Sequence, residues 1–291
     1  MAQKECSTNC IGIVGLGLIG GSLGLDLQDL GFQVHGLVHR STTAQKARDR
    51  GLSQVISTDP QILSDCDLII LALPLDQLLE PSEALIDALP RNAVITDVGS
   101  VKAPVLNVWR ELHQNFIGSH PMAGNANAGV EAGQKELFKQ RPWVSTPESG
   151  TDPEALEKVH QLALTLGSKW ITTDAEMHDQ AVALISHLPV LISAALLKTL
   201  GNERNPSLLS LAKTLASSGF ADTTRIGGGN PILGKSMMSN NSAAILRALT
   251  SYRWSLEQFE EAILAQHWAQ IEAELEQTHK LRPEFLKESD S

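Results

Sequence analysis

The sequence predicts an α/β fold, with a parallel-sheet domain over residues 1–173 followed by an all-helical domain over residues 174–291. Three observations predict it. Up to about residue 173, short apolar runs alternate with helix-like stretches, and that alternation builds a parallel sheet with helical crossovers. The first apolar run ends in a glycine-rich turn, "GIVGLGLIG". Beyond residue 173 the patterns are helical, with no convincing strand.

Each element has its own warrant. "CIGIVG" (10–15) is a short apolar strand, and "LIGGSLGLDLQDL" (18–30) is the helix after it, with Gly31 as a stop. "FQVHGLVH" is the next strand and runs into a loop that reads His39-Arg40-Ser41-Thr42. "DLIILALPL" (67–75) is apolar on both faces, as a buried parallel strand is. "NAVITDVGS" (92–100) and "NFIGSH" (115–120) repeat the pattern, and helical stretches near 76–89, 102–114 and 152–167 separate these strands. "PWVSTPE" and "KWITTD" read as two last strands. Thr173-x-x-Glu176 has the capping-box spacing and opens the helical part. Asn230-Pro231 fits an N-cap with proline at the first helical position. Residues 242–265 have helical periodicity, and the charged residues from Arg282 onward are expected to fray.

The bulk composition excludes several function classes. Of 291 residues, 42% are hydrophobic and 19% charged, which is a soluble globular balance with ample core material. The net charge of -10 disfavours nucleic acids and anionic membranes, whose phosphates are held by clustered Lys and Arg. Cys6, Cys10 and Cys66 have no paired zinc-type spacing, so reduced thiols and no metal site are expected. The first nine residues are polar, so no secretory leader and a cytoplasmic location are expected. Residues 181–197 carry no formal charge, but His187, Pro189, Ser186 and Ser193 interrupt them. They are read as a core helix covered by other helices, those of a second subunit included, rather than as a membrane span.

Gly15-x-Gly17-x-x-Gly20 follows a strand and precedes a helix, which is the context of a dinucleotide fingerprint. Gly15 allows the turn, Gly17 admits a pyrophosphate, and Gly20 lets the helix pack on the strand. The first helical residues, Leu18 and Ile19, offer free N–H groups to the phosphates. An acid usually binds the ribose about 20 residues further on. Here that region holds Arg40, Ser41 and Thr42, a guanidinium and two hydroxyls suited to a 2′-phosphate. The first domain is therefore read as a Rossmann-type NADP site; a solvated loop is the bland alternative for Arg40 to Thr42.

A substrate site lies past the carboxyl ends of the strands in such sheets. "DVGSVK" places Ser100 and Lys102 at one strand end, and "GSHPMAG" places His120 at another. His187 interrupts the most apolar helix, where a polar group needs a partner. Arg225 precedes three glycines in "GFADTTRIGGGNP", a close-approach loop for an anionic group.

In order, "GLGLIGGSL", "DVGSVK", "GSHPMAG", "ISHLPV" and "SGFADTTRIGGGNP" resemble the prephenate/arogenate dehydrogenases of tyrosine biosynthesis, over about residues 11 to 275. The resemblance implies oxidative decarboxylation of a cyclohexadienol. His120 would be the catalytic histidine that takes the hydroxyl proton as hydride leaves for NADP, and Ser100 its supporting serine. His187 and Arg225 would bind substrate, the arginine on a carboxylate. The His-Arg-Ser-Thr tip resembles the NADP-using arogenate branch. The resemblance also implies a homodimer formed through the helical domain. Where many members continue with Thr-Glu, this chain has Asn125-Ala126-Asn127, so an acidic gate is absent. Alternatives are a prephenate dehydrogenase, a hydroxyacid dehydrogenase of the 6-phosphogluconate type using Lys198 or Lys213, and an NADP-sensing regulator.

Overall fold

A computed structural model describes residues 10–125 and 127–286; Cys6, the rest of the polar start, Ala126 and residues 287–291 lie outside it. The chain divides into two compact units, Met1–Ser242 and Ala243–Ser291.

The first unit is built on a six-stranded parallel sheet in the order β3-β2-β1-β4-β5-β6. Its strands are β1 Cys10–Val14, β2 Gln33–Leu37, β3 Val55–Ser57, β4 Leu68–Leu71, β5 Val94–Asp97 and β6 Phe116–Ile117. Helices α1 Leu18–Asp29, α2 Ser41–Asp49, α3 Leu75–Leu79, α4 Glu83–Ala88 and α5 Ala103–Leu112 make the crossovers. β1 and β4 are buried along their whole length. Their alternate side chains feed two cores: Ile11, Ile13, Leu68 and Ile70 on one face, Val14, Ile69 and Leu71 on the other. Each such side chain contributes about 1.5–3 kcal/mol by leaving water, which is why the central strands are so apolar. The strand order reverses between β1 and β4, and a ligand crevice opens past the carboxyl ends there.

A second sheet follows, with β7 Ser119–Pro121 antiparallel to β8 Pro142–Ser145, and β8 parallel to β9 Lys169–Thr172. Helix α6 Pro153–Thr165 links β8 and β9. The expected strand "NFIGSH" is thus two strands in different sheets. Gly118 makes the break, and a Cβ there would stand 2.7 Å from Thr146 Oγ1.

Three further expectations are corrected. The stretch after β2 is a helix, not a loop: Ser41 and Thr42 are the first residues of α2, with Arg40 as its N-cap. The stretch at 76–89 is two short helices rather than one, with Pro81 between them disfavouring helical backbone before it. The cap opening the helical region is Asp174, not Thr173, because the Thr173 N–H is still engaged in the sheet by Ser145 O at 3.1 Å. The Asp174 carboxylate accepts instead from Met177 N at 2.7 Å.

The helical part of this unit runs through α7 Ala175–Val182, a π-helical turn Ala183–His187, and α8 Leu188–Gly201. It continues with α9 Pro206–Leu215, α10 Ser218–Thr224 and α11 Pro231–Asn240, the last capped by Asn230 and begun by Pro231 as expected. The stretch Ala175–Gly201 is one helix long and apolar enough to cross a membrane, and only 28% of its most apolar window is buried. Leu184 and Ile185 stand 51% and 58% exposed, so this chain's described residues leave much of it uncovered.

The second unit is two helices, α12 Ser242–Leu264 and α13 Trp268–Phe285, joined at Ala265–His267. α13 continues past Arg282 to Phe285, so the expected fraying does not begin there. Trp254, Leu264, Trp268 and Phe285 are each at least 60% exposed on it.

Spacing hid one contact. Cys10 Sγ lies 2.9 Å from Cys66 Sγ, with His35 beside them, because β1 and the start of β4 are neighbours. Both thiols are free and buried, and burial raises the pKa of each. Zinc–thiolate bonds of ~2.3 Å in a tetrahedron would hold two sulfurs roughly 3.8 Å apart, so this pair is too close to bracket that ion.

Candidate active site

The nucleotide cradle is formed where β1 turns into α1. Gly15 has φ +92°, and its absent Cβ would stand 2.4 Å from Ala72 O. A Cβ on Gly20 would stand 1.9 Å from Gly15 O, so only glycine lets α1 pack here. Gly17 differs: nothing lies within 4 Å of a Cβ built on it. That open space faces the start of α1, where no side chain among the described residues caps the helix and the N–H groups of Leu18 and Ile19 have no partner within it. A pyrophosphate fits this cradle by charge and by shape. The Gly15 N–H donates to Leu37 O at 2.8 Å, tying the cradle to the end of β2.

Beyond that end stand Arg40, Ser41 and Thr42, all exposed. Arg40 makes no ion pair among the described residues. Because α2 begins at Ser41, the two hydroxyls come with the N–H groups of an uncapped helix start. A phosphate gains from both.

The second cluster gathers at the ends of β5 and β7. Lys102 and Asp97 are fully buried and paired. Asp97 also accepts from Gly99 N at 2.8 Å and from Ser119 N at 3.0 Å, and Lys102 Nζ donates to Ser119 O at 2.8 Å. Burial pushes the lysine pKa down, and Asp97 opposes it. This knot fixes the 97–102 turn against β7; removing one partner of such a pair typically costs about 3–5 kcal/mol.

His120 lies on β7, half-buried, beside this knot. Its Nδ1 lies 2.9 Å from His178 Nε2, and His178 Nδ1 lies 2.8 Å from Asp179 Oδ1. His178 and Asp179, both buried on α7, were not legible as site residues, since 58 positions separate His178 from His120. Burial drives the His120 pKa well below its usual 6.5, and His178, Lys102 and His187 add to the effect. The imidazole is therefore neutral at pH 7, the state a base requires.

His187 ends the π-helical turn and is 1% exposed. The partner that its burial demands is Asn241, whose Nδ2 stands 3.2 Å from His187 Nδ1. The same amide donates to Asp179 O at 2.7 Å. An amide NH₂ only donates, so His187 Nδ1 accepts and its proton lies on Nε2, as a donor. Burial lowers this histidine's pKa as well, while Asp179 opposes the shift.

Two sequence-predicted residues stand apart from these hydrogen bonds. Ser100 is half-buried on the 97–102 turn and makes no side-chain hydrogen bond among the described residues. Arg225 is the exposed C-cap of α10. In the glycine run after it, Gly227 packs against α8, where a Cβ would stand 2.4 Å from Ala194 N, and its N–H donates to Ser193 Oγ at 2.8 Å. Asn125 accepts from Asn127 N at 2.8 Å and donates to Gln134 Oε1 at 3.3 Å, closing its exposed loop on itself.

An open glycine cradle at the switch point of a parallel sheet, with a neutral histidine past its strand ends, defines a nucleotide-binding dehydrogenase. The comparisons name the family. Residues 23–172 match the model of the prephenate dehydrogenase nucleotide-binding domain, and residues 174–277 match that of its dimerization domain. The chain belongs to the prephenate dehydrogenase family, which includes arogenate and cyclohexadienyl dehydrogenases. It is 40% identical to the crystal structure of Synechocystis arogenate dehydrogenase, with 95% of this chain and 100% of that chain covered and a TM-score of 0.82. It is 27% identical to prephenate dehydrogenase from A. aeolicus in complex with hydroxyphenyl propionate and NAD+, over 97% and 100% of the two chains, with a TM-score of 0.88. Cyclohexadienyl dehydrogenase of Zymomonas mobilis is 29% identical over 277 residues, 94% of each chain. The hydroxyacid-dehydrogenase and regulator readings give way to this family; Lys198 and Lys213 are exposed.

Proposed function

We propose that this chain is an NADP-dependent arogenate dehydrogenase, converting arogenate to tyrosine with loss of CO₂. The observation that carries the reading is His120: it is neutral, stands past the strand ends, and has one nitrogen already engaged by His178. The 40% identity with the Synechocystis enzyme supports arogenate over prephenate. The absence of any acid from residue 38 to residue 45, with Arg40, Ser41 and Thr42 in its place, supports NADP over NAD.

When bound, the nicotinamide supplies the hydride acceptor. Gly15, Gly17 and Gly20 with the N–H groups of Leu18 and Ile19 hold its pyrophosphate, and Arg40, Ser41 and Thr42 take the 2′-phosphate. His120 accepts the proton of the substrate's ring hydroxyl as the carbinol carbon is oxidised, and Ser100 supports that hydroxyl. The resulting carbonyl draws the electrons of the breaking C–C bond into the ring, the carboxylate leaves as CO₂, and the ring becomes aromatic. His187 donates from Nε2 and Arg225 pairs with a carboxylate, so both bind anionic parts of the substrate.

The bare apolar faces on α7–α8 and on the second unit are proposed to close against a second copy of the chain, and the match to a dimerization-domain model supports a homodimer. The functional test is kcat/KM for arogenate and prephenate, each with NADP+ and NAD+. Arogenate with NADP+ is expected to be the best of the four pairs; a higher value for prephenate with either cofactor reassigns the substrate.

A further inference from the structure

We propose that His178 and Asp179 are positioning residues that hold His120 in the tautomer whose free nitrogen is Nε2. The proposal deepens the reading of His120 as the base and rests on it.

Asp179 anchors the outer end of this hydrogen-bond chain. Its Oδ1 accepts from Lys102 N at 2.7 Å, and its Oδ2 accepts from Ala103 N at 2.9 Å. These are the N–H groups at the start of α5, the positive end of that helix, and they favour a carboxylate there. A carboxylate only accepts, so the 2.8 Å contact with His178 Nδ1 requires that nitrogen to carry a proton. A neutral imidazole has one N–H, and His178 Nε2 is then a bare acceptor. The nitrogen 2.9 Å from it, His120 Nδ1, must donate. His120 Nε2 is left with its lone pair free, on the one ring nitrogen that no group among the described residues engages.

Every link is needed. If Asp179 offered an amide NH₂ to His178, both histidines would flip tautomer and Nε2 of His120 would carry a proton. It could not then take one from a hydroxyl. Burial makes the arrangement firm: His178 is 3% and Asp179 5% exposed, so no bulk water competes. The other charged or titratable groups around the chain are Lys102, held by Asp97, and His187, held by Asn241. Neither makes a hydrogen bond to His120 Nδ1 or to His178 Nε2. The Asn241 amide braces the Asp179 backbone from the far side.

The direct test needs no variant. In ¹⁵N-histidine-labelled protein near pH 7.5, the His120 imidazole, assigned among nine histidines by its loss in His120→Asn, is expected to show a protonated Nδ1 and a bare Nε2. A protonated Nε2 on His120 would overturn the proposal. The kinetic test compares variants. Asp179→Ala, which leaves His178 Nδ1 without its acceptor, is expected to lose about 10²–10⁴ in kcat, as loss of an oriented base does, with KM and cofactor affinity within a few-fold of normal. His178→Gln, whose amide oxygen can still accept from His120 Nδ1, should retain more kcat than His178→Leu. A folded Asp179→Ala with near-normal kcat, or equal losses in the Gln and Leu variants, would remove the pair from its role. If the unaltered protein oxidises no cyclohexadienol, the functional reading fails instead, and the labelled spectrum still decides the tautomer.

Discussion

Arg40→Ala is the perturbation that isolates cofactor choice. Arg40 is exposed and caps a helix with its backbone, so truncating its side chain removes no cap and no buried contact. It has no carboxylate partner among the described residues, so its guanidinium is free for a phosphate. A charge-assisted hydrogen bond typically contributes ~1.5–3 kcal/mol. Solvent exposure puts this site near the lower end, so the loss should be about tenfold in NADP+ affinity. It should shrink further as salt rises, since the Debye length is only ~8 Å at physiological ionic strength. The helix start at Ser41 and Thr42 retains part of the binding, which keeps the loss from being total. Titration of each cofactor by fluorescence or calorimetry is the assay. NAD+ affinity should stay within about twofold, for it has no 2′-phosphate to lose. Equal losses for both cofactors, or no loss for NADP+, would refute the assignment.

The remaining predictions concern the cradle, the assembly and the substrate. Gly17→Ala should fold normally, because its Cβ meets nothing within 4 Å, yet bind either cofactor much more weakly; Gly20→Ala should melt earlier, by the ~1–3 kcal/mol typical of overpacking, because its Cβ meets Gly15 O at 1.9 Å. Paired melting and binding curves check both, and similar melting points for the two would contradict the geometry. Light scattering at micromolar concentration should give about twice the chain mass of 31.4 kDa, and an active monomer would leave the bare apolar helices unexplained. Arg225→Lys should raise the substrate KM and spare cofactor binding, since an ammonium cannot form the paired fork. An unchanged KM would take Arg225 out of the site.

Much of this was legible in the sequence for local reasons. The glycine spacing, the doubly apolar run of β4 and the Asn230-Pro231 cap are patterns within ten residues, and the structure has all three. His187 was legible as a buried polar group in need of a partner, though Asn241 could not be named. What escaped was long-range or competitive. His178 and Asp179 carry no local signal of a site, and only folding brings them to His120 and to the start of α5. The α2 helix was missed because Ser-Thr-Thr has weak helix propensity. Its buried Ala44 and Ala47 provide the packing that overrides it. Thr173 lost the cap to Asp174 because the sheet had already claimed its N–H. Gly227 also serves a helix–loop approach to α8, a use that a glycine run does not encode.

The central claim is that neutral His120 takes the substrate proton, and its pH profile is the most direct test. Protonation inactivates a base, so the rate must fall on the acid side. The folded pKa lies well below the ordinary 6.5, so kcat/KM should hold as pH drops through 6.5 and fall only below it. An anionic substrate should move the corresponding limb of kcat to higher pH. His120→Asn should lose about 10²–10⁴ in kcat, keep NADP+ affinity, and lose the acid limb. Near-normal kcat in that variant, or an acid limb that survives in it and disappears in His187→Asn, would contradict the account.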